Sequence, residues 1–522
     1  MLLAVRGCML ATALSTTLVG LDAHLVRVEV EASRGVPSFE LVGLAEAAVR
    51  ESRVRVKSAL MQVGVDICEC RLVVNLAPAD LKKTGSGFDL AIAAATLCAM
   101  QVVSEESLQG VLFIGELSLT GRVHALRGVL PQLVGARARG VGRAVVPRLN
   151  AAEAALVEGI DVRTAATLAE LVDALRGTAE LPRPPATSDV PIDEDEMVDD
   201  LADVRGQSAA RRALEIAAAG GHNLLMIGPP GAGKTMLARR LPGLLPPLSK
   251  AEALDVTAIH SVAGMLSGTR AFLRSRPFRA PHHTVSEIAL VGGGDTPRPG
   301  EVSLAHNGVL FLDELAEFRR SAVEALRQPI EDGVVTISRA QARATFPARP
   351  LLVCATNPCA CGYRGDGTAR CACSPERVRA YRARLSGPLV DRIDVHVVLP
   401  PVEVAALQRA ALGESTAVVR ARVARARASQ VARVTRGEVR ATTNASLSAR
   451  DLERVAVLCD GGARLLAAAV SRLALSARAY GKVLRVARTI ADLEGASTIG
   501  PAHVAEAISL RVLDREGVAG AA

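Results

Sequence analysis

The 522-residue sequence has no Trp, three Tyr and eight Phe, so its cores must be packed mainly with Ala, Val and Leu. Lys is almost as scarce, occurring only at positions 57, 82, 83, 234, 250 and 482, and Arg supplies nearly all the positive charge. No uncharged apolar stretch is long enough for a helix to cross a bilayer, which argues against a membrane partner. The apolar first twenty residues are interrupted by Arg6 and lack a charged leader, so they predict a cytoplasmic chain whose first strand starts near Thr17. Ten Cys in a chain of this size make no disulfide scaffold. Five of them fall between 354 and 373, which suggests a metal or local structural site.

The net charge of +8 and pI near 9.1 are mild for this length, yet they favour an acidic polymer such as nucleic acid over a cationic partner. Length alone implies about three domains. Residues 1–180 alternate short Val/Leu runs with Ala-rich helical patterns and read as an α/β domain. Residues 181–200, LPRPPATSDVPIDEDEMVDD, combine prolines with a run of acids and read as an exposed linker. Residues 201–400 begin with a helix (208–219), a buried strand (223–227), a glycine loop and a second helix, the order of a nucleotide-binding core. Residues 401–522 are Arg/Ala-rich and almost entirely helical in pattern.

The strongest chemical signal is GPPGAGKT, residues Gly228, Pro229, Pro230, Gly231, Ala232, Gly233, Lys234 and Thr235. Its glycines let successive N–H groups face a phosphate, and the following helix adds its positive end. Lys234 then reaches the β- and γ-phosphates of ATP, and Thr235 ligates Mg²⁺. A second buried strand, 308–312, ends in Asp313 and Glu314, and a third, 351–355, ends at Thr356 and Asn357. Ligands bind at such strand ends in parallel sheets. Asp313 suits the Mg²⁺ shell, Glu314 can deprotonate the attacking water, and Asn357 can hold that water, although an acidic strand end is otherwise a helix cap or a solvated turn. Cys359, Cys361, Cys371 and Cys373 supply four thiols for a tetrahedral Zn²⁺, or a set of reduced buried small residues, with CxC rather than the commoner CxxC spacing.

These pieces resemble the AAA+ ATPases. In that resemblance Gln207 belongs to the segment beside adenine, Arg392 takes the place of the arginine finger and Arg478 that of the sensor-two arginine, with Arg485 as its rival. For Arg392 an intrachain salt bridge to Asp391 or Asp394 is the alternative. A finger given to a neighbour implies a homo-oligomeric ring, a hexamer. FRAPHHT, VGGGDTPRPGEVSLAHNG, NPCACGY and the N-terminal FELVGLAEAAVRESRVRVKSAL together resemble the ComM/YifB family of magnesium-chelatase-like ATPases over almost the whole chain.

The resemblance implies a Lon-protease-like N-terminal α/β domain, an AAA+ parallel-sheet core and an all-α C-terminal lid. It also implies an ATP-driven DNA motor, a helicase promoting branch migration in recombination or natural transformation, with recombination proteins among its candidate partners. The alternatives are a chelatase-type subunit driving metal insertion into a porphyrin, and an ATP-dependent protease. The protease reading is weakened because Arg127 to Pro131 contains no Lys and Ser86 sits displaced from the place of the nucleophile. Residues 333–349 read as a hairpin with Arg339 and Arg343 near its tip. In a ring it would enter the channel and hold DNA phosphates without reading sequence, or else it is an ordinary solvated hairpin. His282 and His283 line that channel, contact the hairpin, or are simply packed.

Overall fold

The computed structural model describes residues 9–68, 70–186, 199–266, 271–339, 342–367, 370–385, 387–401 and 413–513. The N-terminal region builds a seven-stranded sheet in the order Ser38–Val42, Cys70–Ala77, Asp22–Arg34, Met9–Val19, Val111–Phe113, Arg143–Pro147, Asp161–Ala165. Met9–Val19 and Asp22–Arg34 pair antiparallel along their whole length. The first strand therefore begins at Met9, and Thr17 lies near its end. The buried positions of that strand are Ala11, Ala13, Ser15, Thr16 and Thr17, and such small side chains leave too weak an apolar alternation to mark a strand in sequence. They leave room for the helix Asp89–Ala99, all of whose residues are buried. Its one charge, Asp89, is matched by Arg55 at 2.6 Å.

The ends of the linker are tied down. The Pro182 carbonyl accepts from the Thr164 N–H at 2.9 Å, and Asp200 accepts from the backbone N–H of Thr416 at 2.7 Å. Apart from Leu181, which is buried, and Pro184, which is half-buried, the described residues of this stretch are exposed, even where their polar groups complete the hydrogen bonding of neighbouring elements. Residues 187–198, which carry most of its acids, lie outside the described residues.

The second sheet is five-stranded and parallel throughout, in the order Phe278–Arg279, Val309–Leu312, Leu351–Thr356, Leu224–Ile227, Val395–Val398. Its three central strands are buried at every residue except for slight exposure of their ends, as continuous apolar runs covered on both faces should be. Because all strands run the same way, Ile227, Leu312 and Thr356 deliver their following residues to one edge.

The helices Thr416–Thr435 and Ala477–Leu493 pack against the helix Ser208–Gly220, Pro501–Ser509 packs on Ala477–Leu493, and all share one apolar core with the sheet. A buried polar network fixes that packing. His222 bridges Asp394 (3.1 Å) and Thr489 (2.8 Å), and Arg433 donates to Asp492 (2.6 Å) and Asn444 (2.9 Å). The N-terminal region docks on the helix Lys250–Ala263 through Ser261, which donates to the buried Glu153 at 2.6 Å and accepts from the Gly128 N–H at 3.0 Å. Burial pushes the Glu153 carboxyl above its usual range, against the pull of the Ser261 and Asn150 hydrogen bonds. Among the described residues no helix is long and apolar enough to cross a membrane.

Candidate nucleotide-binding and hydrolysis site

The glycine loop joins Leu224–Ile227 to the helix Lys234–Leu244 and opens into a cleft of about 540 Å³. The cleft is lined by residues 203–205 and 207 on one side, by 230–237 below, and by Asp313, Glu314, Thr356 and Asn357 at the strand ends. Gly231 and Gly233 have φ of +78° and +87°, left-handed conformations that favour glycine and let the loop curl into the helix Lys234–Leu244. Gly228 is required for a different reason: a Cβ there would lie 2.9 Å from the Leu399 side chain.

Lys234 is largely buried, and its ammonium folds back on the loop. It donates to the carbonyls of Gly228 (2.7 Å) and Pro229 (3.0 Å) and to Asn357 Oδ1 (3.1 Å). Burial holds its pKa below the ordinary lysine value, opposed by the charges of Asp313 and Glu314. These three oxygens satisfy the ammonium within the loop and its neighbouring strand end. Thr235 Oγ1 donates to Asp313 Oδ2 at 2.6 Å, which brings a hydroxyl and a carboxylate together as hard oxygen donors suited to Mg²⁺. Glu314 follows with φ +53°, its side chain half exposed at the cleft rim. Gln207 donates to the carbonyls of Ala232 (3.3 Å) and Pro400 (2.8 Å) and pins the loop to the end of Val395–Val398.

Family models match successive parts of the chain: "Subunit ChlI of Mg-chelatase" over residues 28–150, "Magnesium chelatase, subunit ChlI" over 200–407, and "Magnesium chelatase, subunit ChlI C-terminal" over 413–511. An uncharacterised protein of Mycobacterium tuberculosis (strain H37Rv) is 47% identical over 503 residues, 96% of this chain and 98% of the relative. The competence protein ComM of Haemophilus influenzae is 43% identical over 514 residues, covering 97% and 98%. The YifB protein of Escherichia coli K12 is 42% identical over 498 residues, covering 95% and 96%. The chain belongs to the ComM/YifB family of magnesium-chelatase-like ATPases.

In this family member the parallel core, the strand-end acids and the helical C-terminal region make an AAA+ architecture, and the cleft lies at the strand ends, where ligands bind in parallel sheets. Two residues that sequence singled out lie elsewhere. Arg392 and Arg478 are not among the cleft-lining residues. Arg392 donates to the Pro388 carbonyl at 2.7 Å and pairs with Glu331, not with Asp391 or Asp394. Its Nε is buried without a hydrogen-bond partner. The Arg392 guanidinium holds the Glu331 carboxyl below its usual range, and the charge of Arg478 adds to the effect. Lys482 of the helical region donates to the Ile393 carbonyl at 3.2 Å and so clamps the segment bearing Arg392. Arg485 donates to the Leu447 carbonyl at 2.9 Å, away from the cleft.

The hairpin is Val334–Arg339 paired with Ala342–Pro347, its register setting Ser338 opposite Arg343. Val335, Ile337, Ala344 and Phe346 face the core while Thr336, Ser338, Arg343 and Thr345 are exposed. Residues 340–341 and the side chain of Arg339 lie outside the described residues. The turn at Gly20 of the N-terminal sheet rests against Ala344 and Thr345, so that domain braces the hairpin.

The sulfurs of Cys359, Cys361, Cys371 and Cys373 lie within 4.8 Å of one another. Cys354, the fifth thiol of that stretch, is fully buried in its strand. In the N-terminal domain the Ser86 hydroxyl donates to Glu116, and the buried Lys83 ammonium donates to the Pro78 carbonyl, so neither is arranged as an activated nucleophile and its base.

Sequence reasoning assigned His283 to a channel or to packing and missed its neighbour: Nδ1 stands 3.5 Å from Glu314 Oε2. The residue follows Phe278–Arg279, which pairs parallel with the acidic strand and so ends at the same edge. A two-residue strand leaves no periodic pattern, and only its neighbours in space reveal it. Glu331 was missed because its partner Arg392 is 61 residues away.

Proposed function

We propose that this AAA+ ATPase works as a homo-hexameric DNA motor, a helicase that drives branch migration during recombination or DNA uptake. ATP sits with its phosphates over the loop N–H groups and Lys234. Thr235 and Asp313 hold Mg²⁺, which neutralises phosphate charge when bound. Glu314 takes the proton of the attacking water, and Asn357, already bonded to Lys234, keeps that water in line.

The observation that carries the ring is the division of the catalytic set. The cleft contains what binding requires, whereas Arg392, with a buried Nε lacking a partner, stands outside it beside Glu331 and Arg478. A head-to-tail interface brings these arginines to the next subunit's phosphates, and such interfaces close into rings. The hairpin, with Arg343 exposed near its tip, supports a sequence-independent grip on DNA. The name of the relative ComM, a competence protein, points the same way. Metal insertion into a porphyrin rests on the names of the family models alone. The four clustered thiols hold one Zn²⁺.

The test is whether the purified protein migrates a labelled four-way junction with ATP and Mg²⁺, and whether Lys234→Ala abolishes it. Junctions left intact at protein concentrations that hydrolyse ATP would refute the motor.

A further inference from the structure

A tetrahedral Zn²⁺ with four sulfurs at about 2.3 Å sets its ligands roughly 3.8 Å apart. The observed separations are 3.3 Å for Cys359 and Cys361, 3.8 Å for Cys359 and Cys371, and 3.6 Å for Cys361 and Cys371. Three of the sulfurs thus already stand near the spacing of a tetrathiolate, and the fourth, that of Cys373, lies within 4.8 Å of each of them.

Their place in the fold gives the site a consequence for the nucleotide. Cys359 is fully buried and stands two residues after Asn357, which lines the ATP cleft and accepts from Lys234. Gly362, one residue after Cys361, is pressed against the glycine loop from outside. A Cβ at Gly362 would lie 2.7 Å from Pro230 Cδ and 3.8 Å from Asn357 Cγ, and its φ is +86°. The turn carrying Gly362 is closed by its N–H donating to the Cys359 carbonyl at 2.9 Å. A small group of cysteines therefore fixes the wall of the cleft on two sides, through Asn357 along the chain and through Pro230 across the gap.

We propose that Zn²⁺ bound by Cys359, Cys361, Cys371 and Cys373 braces the ATP cleft by holding Gly362 against Pro230, making nucleotide affinity depend on metal occupancy. This deepens the ATPase reading and rests on it. Without the metal, Gly362 is held on Pro230 by weaker contacts, among them its N–H bond to Cys359 and the Arg370–Asp366 ion pair at 2.9 Å. The glycine loop then has a weaker outer support and Asn357 a weaker anchor.

The full chain, purified without chelator, is assayed for metal content, for binding of a fluorescent ATP analogue, and for thermal unfolding. One zinc per chain is expected. Stripping it with a chelator, or replacing Cys371 and Cys373 by Ser, is expected to weaken analogue binding about 10- to 100-fold, the scale of misplacing binding groups by an ångström. Returning Zn²⁺ restores the stripped protein but not the Ser variant. Gly362→Ala keeps all four thiols, so it is expected to retain the metal, with unfolding shifted downward by the strain of its positive φ, yet bind the analogue as weakly as the stripped form. A protein that never contains metal overturns the site. Unchanged analogue affinity in stripped protein and in Gly362→Ala overturns the brace. Failure of the zinc-loaded native chain to bind the analogue at all refutes instead the ATPase reading on which the brace depends.

Discussion

Removing the Arg392 guanidinium tests whether the catalytic set is divided between subunits. In one chain Arg392 touches the Pro388 carbonyl and Glu331 and contributes nothing to the lining of its own cleft. Glu331 is mostly exposed, so losing the ion pair in Arg392→Ala should cost at most about 1 kcal/mol of stability. Nucleotide affinity should hold, because Lys234, Thr235 and the loop are untouched. Turnover should fall on the order of 10³-fold or more, the scale of removing an arginine finger.

The decisive assay mixes Arg392→Ala with Lys234→Ala, each nearly inactive alone. In mixed rings the Lys234→Ala subunits lend their arginine to intact clefts of Arg392→Ala neighbours. With random equimolar mixing, one half of the subunits supply the cleft and one half of their neighbours the arginine, so roughly a quarter of the interfaces should be active. Wild-type turnover by Arg392→Ala, or no recovery on mixing despite oligomers of normal size, would refute the trans arrangement.

Three further outcomes follow from the same geometry. Glu314→Gln should bind ATP normally but hydrolyse it about 10² to 10⁴-fold more slowly, and rapid turnover in single-cycle kinetics would remove Glu314 from the proton transfer. Arg343→Ala should lower the slope of log affinity for DNA against log salt by about one for each phosphate left without its guanidinium, and an identical slope would take the hairpin out of the DNA path. Acid should destabilise the fold below pH 6.5. Burial holds His306 down at about 4 and His396 at about 3, so both are neutral in the folded chain. Their contribution is complete above pH 6.5 and falls by about 1.4 kcal/mol per group for each pH unit below it, until the folded pKa is reached. Denaturant midpoints that stay constant from pH 7 to 5 would contradict this.

The order of the ATPase core was legible because its signals are local. The octapeptide at Gly228 needs only neighbouring backbone and one lysine, and the apolar runs ending in Asp313 and Asn357 follow from burial on both faces of a parallel sheet. The hairpin could likewise be read, since its alternation of buried and exposed residues has period two. The first strand was misplaced because Ala, Ser and Thr carry almost no hydrophobic contrast.

By itself, then, the sequence determined the place of the glycine loop, the acidic pair, the thiol cluster and the membership in an ATPase family, all of them properties of short segments or of long ordered similarity. The tertiary structure alone decided that Arg392 meets Glu331, that His283 stands by Glu314, that Ser261 locks onto Glu153 and that Gly362 presses on Pro230. Each of these pairs joins residues far apart in the chain, and what unites them is sheet order and packing, which leave no periodic trace in either partner's local sequence.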